Sequence, residues 1–264
     1  MLSLSDLVFH QRLGKLAGQI GQDGFWAALL TFLRHEIPFD SAVALIFRVN
    51  QSPQLLYEGD SDYDGDELFR QYISSFYLLD PFYAVAQEPF TPGLYCLDDV
   101  SPEHFRKTEY YQRYFSLNVF GDEVQYMLPF PPYGTLTLSL GSKRRFSDDE
   151  LGLLHLYTPW LLPVLKIAAE RRISSAGPAP NQGISLEEKL RQRGNGQLTD
   201  REVQTAILLL AGHSSKAIAA RLAISPETVK VHRRNLYEKL NISSQAEIFS
   251  LFVPGIGGVT QNGN

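Results

Sequence analysis

The stretch SPETVKVHRRNLYEKL, Ser225 to Leu240, carries the signals of a helix with a well-marked start. Ser225 is a good N-cap, because its hydroxyl can accept a hydrogen bond from an unpaired N–H of the first turn. Pro226 suits the first helical position, where no N–H is needed. Glu227 favours the positive end of the helix dipole. The stretch therefore predicts a helix that begins at Pro226.

Apolar and basic side chains separate onto two faces of this helix. At spacings of three and four, Val229, Leu236 and Leu240 form one stripe for burial, with His232 on the same side. The other face carries Thr228, Lys230, Arg233, Arg234 and Tyr237. The cations therefore share a face that a protein core does not use. A nucleic-acid partner would account for them, and a merely solvated helix face is the plainer alternative.

The whole chain has the composition of a globular protein with an uneven charge. Its 264 residues suggest two domains of ordinary size, and 44% are apolar and 20% charged. Residues 1–180 hold 14 Lys and Arg against 22 Asp and Glu, a net of −8. Residues 181–264 hold 10 against 7, a net of +3. This asymmetry permits a nucleic-acid partner for the C-terminal part only.

Cysteine usage and hydropathy indicate the compartment. The single cysteine, Cys96, excludes a disulfide within the chain and fits a reducing environment. The N-terminus lacks a basic segment followed by an apolar run, so no signal peptide is predicted. The longest uncharged run, Val124–Ser142, contains three prolines and reads as paired strands instead of a membrane span. We expect a cytoplasmic protein that does not enter a membrane.

One segment divides the chain. SSAGPAPNQG, Ser174–Gly183, combines small residues, proline and glycine without a charge, as linkers do. The expected organisation is a domain over 1–173, a linker with a short helix over 174–196, a second domain over 197–253 and a flexible tail over 254–264.

The pattern before the linker mixes helices and strands. Helices are predicted over residues 4–18, 23–36, 64–76, 81–87, 102–115 and 147–172, and strands over 41–49, 54–60, 123–130 and 134–143. Ser147 is the expected N-cap of the last helix, and Pro159 and Pro163 are its expected kink points. Four or five antiparallel strands with helices before, between and after them predict an α–β–α sandwich.

The pattern after the linker predicts an all-α domain of four helices. Within it, four short motifs follow one another over roughly 197–252: LTDRE, GHSSKAIAARLAIS, TVKVH and KL. This segment resembles the LuxR/FixJ-type helix-turn-helix domain. In that geometry the second of two short helices enters a major groove. The resemblance implies base-edge contacts from Lys230, Val231 and Arg234, and phosphate or groove contacts from Thr228, Lys216, Arg233 and Tyr237. The last helix, 244–252, offers Phe249 and Phe252 for joining two such domains.

The N-terminal part does not follow the order of a phosphate-accepting receiver domain, because it begins with helices. Two segments of the N-terminal part resemble parts of the autoinducer-binding domain of the LuxR family. They are QYISSFYLLDPFYAVAQEPFTPGLY and FGDEVQYMLPF…GTLTLSLGSKRRFSDDE. By this resemblance Asp80 is the polar anchor of a ligand pocket and Tyr72 a pocket aromatic. Tyr95 stands where the family often has Trp.

The candidate ligand contacts are Asp80, Tyr72, Phe69, Tyr57, Tyr95, Phe47, Tyr126 and Ser139. Two other interpretations stay open: the aromatics form an ordinary core, and Asp80 only caps the helix that begins at Pro81. Positions 61–79 contain no Trp, and Gln125 stands near the family's usual glycine. The ligand is therefore open among an acyl lactone, an amide and an amine, and a GAF/PAS-like sensor of another molecule is an alternative.

Motifs of catalysis are lacking in the sequence. The six histidines show no metal-ligand spacing, and no nucleophile elbow, phosphate loop or dinucleotide fingerprint occurs. We therefore expect no enzyme, no metal and no cofactor. The first hypothesis is a homodimeric regulator of transcription that binds double-stranded operator DNA and is controlled by a small molecule in its N-terminal sensing and dimerisation domain. The alternative is a ligand-independent regulator whose N-terminal domain serves dimerisation or partner docking.

Overall fold

The structure, a computed structural model, describes residues 4–48, 51–59, 66–116, 121–175 and 185–251. Its helices are α1 (Leu4–Ala17), α2 (Phe25–Glu36), α3 (Asp66–Ser74), α4 (Pro81–Ala86), α5 (Leu97–Val100), α6 (Asp148–Ser175), α7 (Leu186–Arg193), α8 (Asp200–Leu210), α9 (Ser215–Leu222), α10 (Pro226–Leu240) and α11 (Gln245–Ser250). Its strands are β1 (Ser41–Phe47), β2 (Gln54–Glu58), β3 (Gly93–Cys96), β4 (Asp122–Phe130) and β5 (Gly134–Ser142). Short 3₁₀ segments cover Phe76–Leu79 and Phe105–Lys107, and a π-helical turn covers Tyr111–Phe115. Residues 176–184 of the predicted linker and all of the predicted tail lie outside the described residues.

The chain divides into two compact units. The first comprises residues 1–65, 85–100 and 119–181, and the second comprises 66–84, 101–118 and 182–264. Two segments of the N-terminal part thus belong with the C-terminal helices. The domain limits expected from the sequence stay a prediction.

A five-stranded antiparallel sheet is the centre of the first unit, in the order β2-β1-β5-β4-β3. The two predicted strand pairs are both present. The edge strand β3 was not predicted, because it has only four residues and follows a segment rich in proline and glycine. The predicted antiparallel sheet with helices is therefore confirmed.

Each face of this sheet has its own row of cross-strand partners. Ala44, Leu138, Tyr126 and Leu94 are successive partners across β1, β5, β4 and β3, so they share one face. They belong to one buried cluster with leucines of α2 and α6. On the opposite face the corresponding row is Val43, Ser139, Gln125 and Tyr95.

The long helix α6 covers the first of these faces. Its expected N-cap is present, since the Glu150 N–H donates to the Ser147 hydroxyl at 3.3 Å. The helix runs on through Pro159 and Pro163. Among the described residues it is the one helix whose length and apolar composition would allow it to cross a membrane. Core helices of soluble proteins meet the same criterion, and Leu154, Leu161 and Leu165 of α6 are fully buried.

Four helices of the second unit form the predicted helix-turn-helix arrangement. Leu209 of α8, Ile218 and Ala219 of α9 and Val229 of α10 share a buried cluster. Side chains cap the four helix starts: Thr199, Ser214, Ser225 and Ser244 each accept a hydrogen bond from a backbone N–H in the first turn. The all-α C-terminal arrangement is thus built from local capping signals and one small core.

Glu202 ties the first of these helices to the third. Its carboxylate accepts from the Thr199 N–H at 2.8 Å and from Lys239 Nζ at 2.7 and 2.9 Å. Burial has the largest influence and by itself raises the pKa of Glu202. The hydrogen bonds from Lys239 and Thr199 and the charge of Lys239 outweigh it, so the pKa lies below its ordinary value.

We predict that Glu202→Gln lowers the free energy of unfolding at pH 7 by about 3 kcal/mol, because it leaves the Lys239 ammonium without its buried partner. The difference from wild type should shrink as the pH falls below the ordinary carboxyl value of 4.5, because the lowered pKa makes this stabilisation depend on an ionised Glu202. Urea denaturation at pH 7 and in acid measures both effects. The exposed neighbour Glu238, changed to Gln, is the control, and equal losses in the two variants would contradict the assignment.

Candidate functional site

Helix α10 has the start and the end that its sequence predicts. The Thr228 N–H donates to the Ser225 hydroxyl at 3.1 Å, and Pro226 occupies the first turn. At the other end Asn241 adopts a left-handed conformation with φ 54°. The helix is therefore closed at both ends by local geometry.

The two faces of α10 separate as expected. Val229 and Leu236 are fully buried, whereas Lys230, Arg233 and Arg234 are exposed. Val231 is 44% exposed, which is high for an apolar side chain. The predicted base-contacting residues thus lie on an accessible face of one helix.

A tight turn sets the position of α10 beside α9. The Ile224 N–H donates to the Ala219 carbonyl at 3.0 Å, and Ala223 between the helices has φ 54°. Packing of Ile218 against Val229 then holds the two helices together. Lys216, the predicted phosphate contact on α9, is exposed in the first turn of that helix.

The cationic face borders a surface depression of about 540 Å³. Its lining residues are Lys230, Arg233, Arg234, Tyr237, Glu238, Asn241, Ile242, Ser243 and Glu247. Arg234 and Glu238 lie 3.9 Å apart and are both about 70% exposed, so this pair holds the guanidinium only weakly. Burial raises the pKa of Tyr237 and keeps its hydroxyl a donor. Glu238 and Glu247 also line the depression, so an anion is favoured beside Lys230 and Arg233.

The last helix, α11, packs within its own chain. The Phe249 ring stacks on Phe76, with centroids 5.4 Å apart and planes 18° apart. Phe249 is only 1% exposed. In this structure Phe249 therefore does not face a second copy of the chain, contrary to the sequence-based expectation, and Phe252 lies outside the described residues.

Backbone contacts reinforce this packing in the second unit. The His104 N–H donates to the Gly212 carbonyl at 3.1 Å, and Gly212 has φ +95°. A Cβ at position 212 would lie 2.7 Å from the Phe105 nitrogen. Lys189 Nζ also donates to the Ser75 hydroxyl at 2.6 Å. The 66–84 and 101–118 segments therefore contact the DNA-reading helices closely.

Asp80, the predicted polar anchor, is buried and paired in this unit. Its Oδ2 accepts from the Tyr72 hydroxyl at 2.5 Å and its Oδ1 from the Phe82 N–H at 2.8 Å. The second contact is that of a helix cap, as the alternative interpretation expected. Burial raises the pKa of Asp80 to about 6, against the opposing effect of the hydrogen bonds from Tyr72 and the backbone of Phe82 and Tyr83.

The aromatic neighbours of Asp80 stack on one another. Tyr72 lies between Phe69, at a centroid distance of 6.2 Å, and Tyr114, at 6.1 Å. Asp80, Tyr72 and Phe69, three of the candidate ligand contacts, thus lie in one cluster. The stacking also fits the alternative of a filled aromatic core.

The other five predicted ligand contacts belong to the first unit and occupy both faces of its sheet. Tyr126 donates to the Leu154 carbonyl at 2.7 Å and Tyr57 stacks on Trp26, so both lie on the face covered by helices. Phe47, Ser139 and Tyr95 lie on the opposite face by the strand registers. The structure therefore does not bring Tyr126 and Tyr57 together with the other three.

The candidate ligand contacts did not include three polar residues beside Ser139. Glu123 and Gln125 on β4 and Thr137 on β5 are buried on the same sheet face. The signal was available, because polar residues at alternate positions of an otherwise apolar strand mark one face.

Two other kinds of chemistry receive no support. Within the ranges that the structure describes, no group of three or more His, Cys, Asp or Glu residues could hold a metal ion. Burial, followed by the charges of Asp99 and Asp122, raises the pKa of the Cys96 thiol to about 11. A protonated thiol is a poor nucleophile, so Cys96 is not set up as a redox sensor.

We predict that Asp80→Asn gains stability relative to wild type as the pH rises from about 4 to about 6. Because the folded-state pKa of about 6 exceeds the ordinary 3.8, the folded wild type binds more protons in this window and loses stability as pH rises. Unfolding free energies of both proteins across this range measure the difference. Tyr72→Phe removes a hydrogen bond that lowers the Asp80 pKa, so it should move the window to higher pH. A flat difference for Asp80→Asn would contradict the burial of an ionisable carboxyl here.

Comparison with known proteins agrees with this geometry. Residues 196–252 match the GerE domain of bacterial regulatory proteins of the luxR family. An "HTH-type transcriptional regulator in exeN 3'region" of Aeromonas salmonicida is 32% identical over 187 residues, which is 66% of this chain and 93% of that protein. The transcriptional regulatory protein UhpA of Escherichia coli is 42% identical over 82 residues, 31% of this chain and 41% of UhpA. The VqsR LBD domain from Pseudomonas aeruginosa is 36% identical with a TM-score of 0.56, over 64% of this chain and 99% of that one.

These likenesses cover different shares of the chain, from 31% to 66%. The similarity to UhpA extends over less than half of that protein, whereas the Aeromonas relative is matched over nearly all of its length. The VqsR domain is matched over 99% of its own chain. The chain belongs to the luxR family of bacterial regulatory proteins: it is a DNA-binding regulator of transcription, not an enzyme, and its N-terminal part is similar to the VqsR LBD domain.

Proposed function

We propose that this chain binds a specific operator as a homodimer and that a small molecule bound in its N-terminal part controls its operator affinity. Lys230, Val231 and Arg234 contact base edges. Thr228, Lys216, Arg233 and Tyr237 contact phosphates or line the groove. A dimer would read two half-sites about one helical turn apart.

The exposed cationic face of α10 is the observation that carries the DNA-binding assignment. Lys230 and Arg234 point away from a core that Val229 and Leu236 fill, so neither cation is used to stabilise the fold. Lysine and arginine donate to guanine N7 and O6 in the major groove, and valine can contact a thymine methyl. The same helix therefore supports the unit with one face and offers the other to a duplex.

Contacts inside the second unit support a route for ligand control. Tyr72 precedes and Asp80 follows the chain segment that carries Phe76, and Phe76 stacks on Phe249 of α11. A ligand that displaces Tyr72 from Asp80 would shift this segment. We infer that such a shift changes the packing of α11 and thereby the availability of the DNA-reading helices.

The pairing of Asp80 favours the second candidate, a ligand-independent regulator. Both carboxylate oxygens already accept hydrogen bonds within the chain, and Tyr72 is stacked between two rings. In this alternative the aromatic cluster is a filled core that holds the DNA-reading helices in place, and the N-terminal part serves dimerisation or docking.

The cellular location is part of the proposal. A regulator that binds the operator must reach the chromosome, and the half-buried Cys96 fits a reducing compartment. We propose a cytoplasmic protein, in which α6 is a core helix and not a membrane span.

We predict that the double variant Lys230→Ala and Arg234→Ala loses at least about 30-fold in operator affinity, because each good base contact contributes on the order of 1–3 kcal/mol. Its affinity for random DNA should fall much less, so sequence preference disappears. Lys15→Ala with Lys166→Ala removes the same charge from exposed positions of the first unit and serves as control. Competition binding at fixed salt, with circular dichroism as a folding check, makes the measurement. Retained operator preference in a folded double variant would refute the assignment of this face.

We predict that Phe76→Leu raises the operator affinity of the ligand-free protein by about 2–10-fold. The variant loses the stacking of Phe76 on Phe249, which we propose restrains α11 and the DNA-reading helices. An aromatic pair contributes about 0.5–1.5 kcal/mol beyond its buried area, and this energy sets the expected size of the change. Phe32→Leu, at a buried ring in the core of the first unit, controls for a general loss of stability. Both variants are compared in the same operator titration. An unchanged affinity for Phe76→Leu would show that this stack does not restrain the DNA-reading helices.

A further inference from the structure

A carboxylate lies in the middle of the outward row of α10. Glu227 is exposed in the first turn of this helix. The three proposed base contacts follow it at spacings of three, four and seven positions, which place side chains on one side of a helix: Lys230, Val231 and Arg234. Leu236, which is fully buried, follows Glu227 by nine positions, or about two and a half helical turns. Glu227 therefore points directly away from the core.

The Glu227 side chain has no partner within the part of the chain that the structure describes. No hydrogen bond or ion pair there involves its carboxylate, although Lys230 lies only one turn away. Further along the same helix, Arg234 and Glu238 approach to 3.9 Å. The contribution of Glu227 to the fold is thus limited to its charge at the positive end of the helix dipole.

Another glutamate has the same place in a different helix. Glu187 is exposed and is the second residue of α7, as Glu227 is the second residue of α10. Both carboxylates stabilise a helix start through the dipole. Only Glu227 belongs to the row of Lys230 and Arg234, so Glu187 is a matched control for the effect of the dipole alone.

A carboxylate in this row opposes the binding of any duplex. Double-stranded DNA carries one negative charge for about every 1.7 Å of its axis. The phosphates attract Lys230 and Arg234 and repel Glu227. This repulsion is offset only where a base edge donates a hydrogen bond to the carboxylate.

Cytosine is the base whose edge fits a carboxylate in the major groove. It presents the N4 amino group, which is a donor, whereas guanine and thymine present acceptor oxygens. Adenine presents a donor, N6, beside an acceptor, N7, that repels a carboxylate. An ionised carboxylate only accepts hydrogen bonds, so it selects cytosine over the other three bases.

We propose that Glu227 is a specificity-determining residue that accepts a hydrogen bond from the N4 amino group of one cytosine in the operator. Glu227 is at the N-terminal end of α10, the end from which a reading helix contacts base edges. Along the groove, the three positions from Glu227 to Lys230 correspond to about 1.3 base pairs. The cytosine thus belongs to the base pair next to the one that Lys230 contacts. This inference rests on the proposed function, in which this face of α10 reads base edges.

Selection from a library of random duplexes tests the assignment. Full-length wild type and variants each enrich sequences from a randomised segment of about 20 base pairs, which holds two half-sites one helical turn apart. Wild type should enrich a cytosine beside the guanine that Lys230 contacts. Glu227→Ala should reduce this preference about fivefold or more, the effect of one good base contact, and leave the other positions unchanged. Glu187→Ala should enrich the wild-type sequence.

Glu227→Gln separates base reading from the helix dipole. Glutamine forms two hydrogen bonds with adenine, to N6 and N7, so this variant should change the preferred base from cytosine to adenine. If Glu227 served only the dipole, loss of its charge would leave cytosine preferred. Wild-type preferences in both Glu227 variants, with folding confirmed by circular dichroism, would overturn the proposal.

Affinity for random DNA gives a second readout. Because a repulsive charge is removed, Glu227→Ala and Glu227→Gln should bind a random duplex about two- to fivefold more tightly than wild type at low salt. Glu187→Ala should bind it as wild type does. An unchanged affinity in the Glu227 variants, or an equal gain in Glu187→Ala, would show that the Glu227 carboxylate does not face the duplex.

Lys230→Ala in the same selection separates this inference from the proposed function. If Lys230→Ala loses the preference for its guanine while Glu227→Ala keeps every preference, α10 reads the operator and Glu227 takes no part. If neither variant alters a preference, or if wild type enriches no sequence, the proposed function and this inference fail together.

Discussion

The buried carboxylate of Glu202 is the constraint on which the orientation of the DNA-reading helix depends. It closes the first turn of α8 through Thr199 and holds Lys239 in the last turn of α10. The packing of Val229 against Ile218 holds the other end of the same helix. A helix fixed at two points cannot rotate about its axis, so the side on which Lys230 and Arg234 lie is decided by interactions that involve neither cation.

The features that the sequence predicted correctly are those with local causes. The N-cap, the proline of the first turn and the apolar stripe all lie within Ser225–Leu240. Helix α10 and its outward cations could therefore be predicted from one short stretch. The strands β4 and β5 followed from their apolar, branched and aromatic runs, and the resemblance of the chain to regulators of the LuxR type was carried by motifs in order. Asp80 and Tyr72, eight positions apart, also lie together, and their role in binding a ligand stays a prediction.

The features that escaped prediction depend on contacts between distant segments. Phe249 was expected to be exposed, and it is buried because Phe76, far away in sequence, stacks on it. Tyr126 and Ser139 were grouped in one pocket, yet strand register places them on opposite faces. Strand register depends on pairing across the whole sheet, so it could not be predicted from this single sequence. Gln125 was noticed only as a departure from the family's glycine, because its burial beside Glu123 and Thr137 emerges only when β4 and β5 pair.

The left-handed residues at the two ends of α10 have a kinetic consequence. Ala223 and Asn241 hold conformations that cost roughly 1–2 kcal/mol in residues with a Cβ, and glycine would adopt them more readily. Glycine at either position would also give the connection itself more backbone freedom, so a side chain there keeps the connection stiffer. A reading helix with stiff connections loses little conformational entropy when it meets a duplex. The rate of association is then governed by electrostatic encounter, and it should decrease steeply as ionic strength increases.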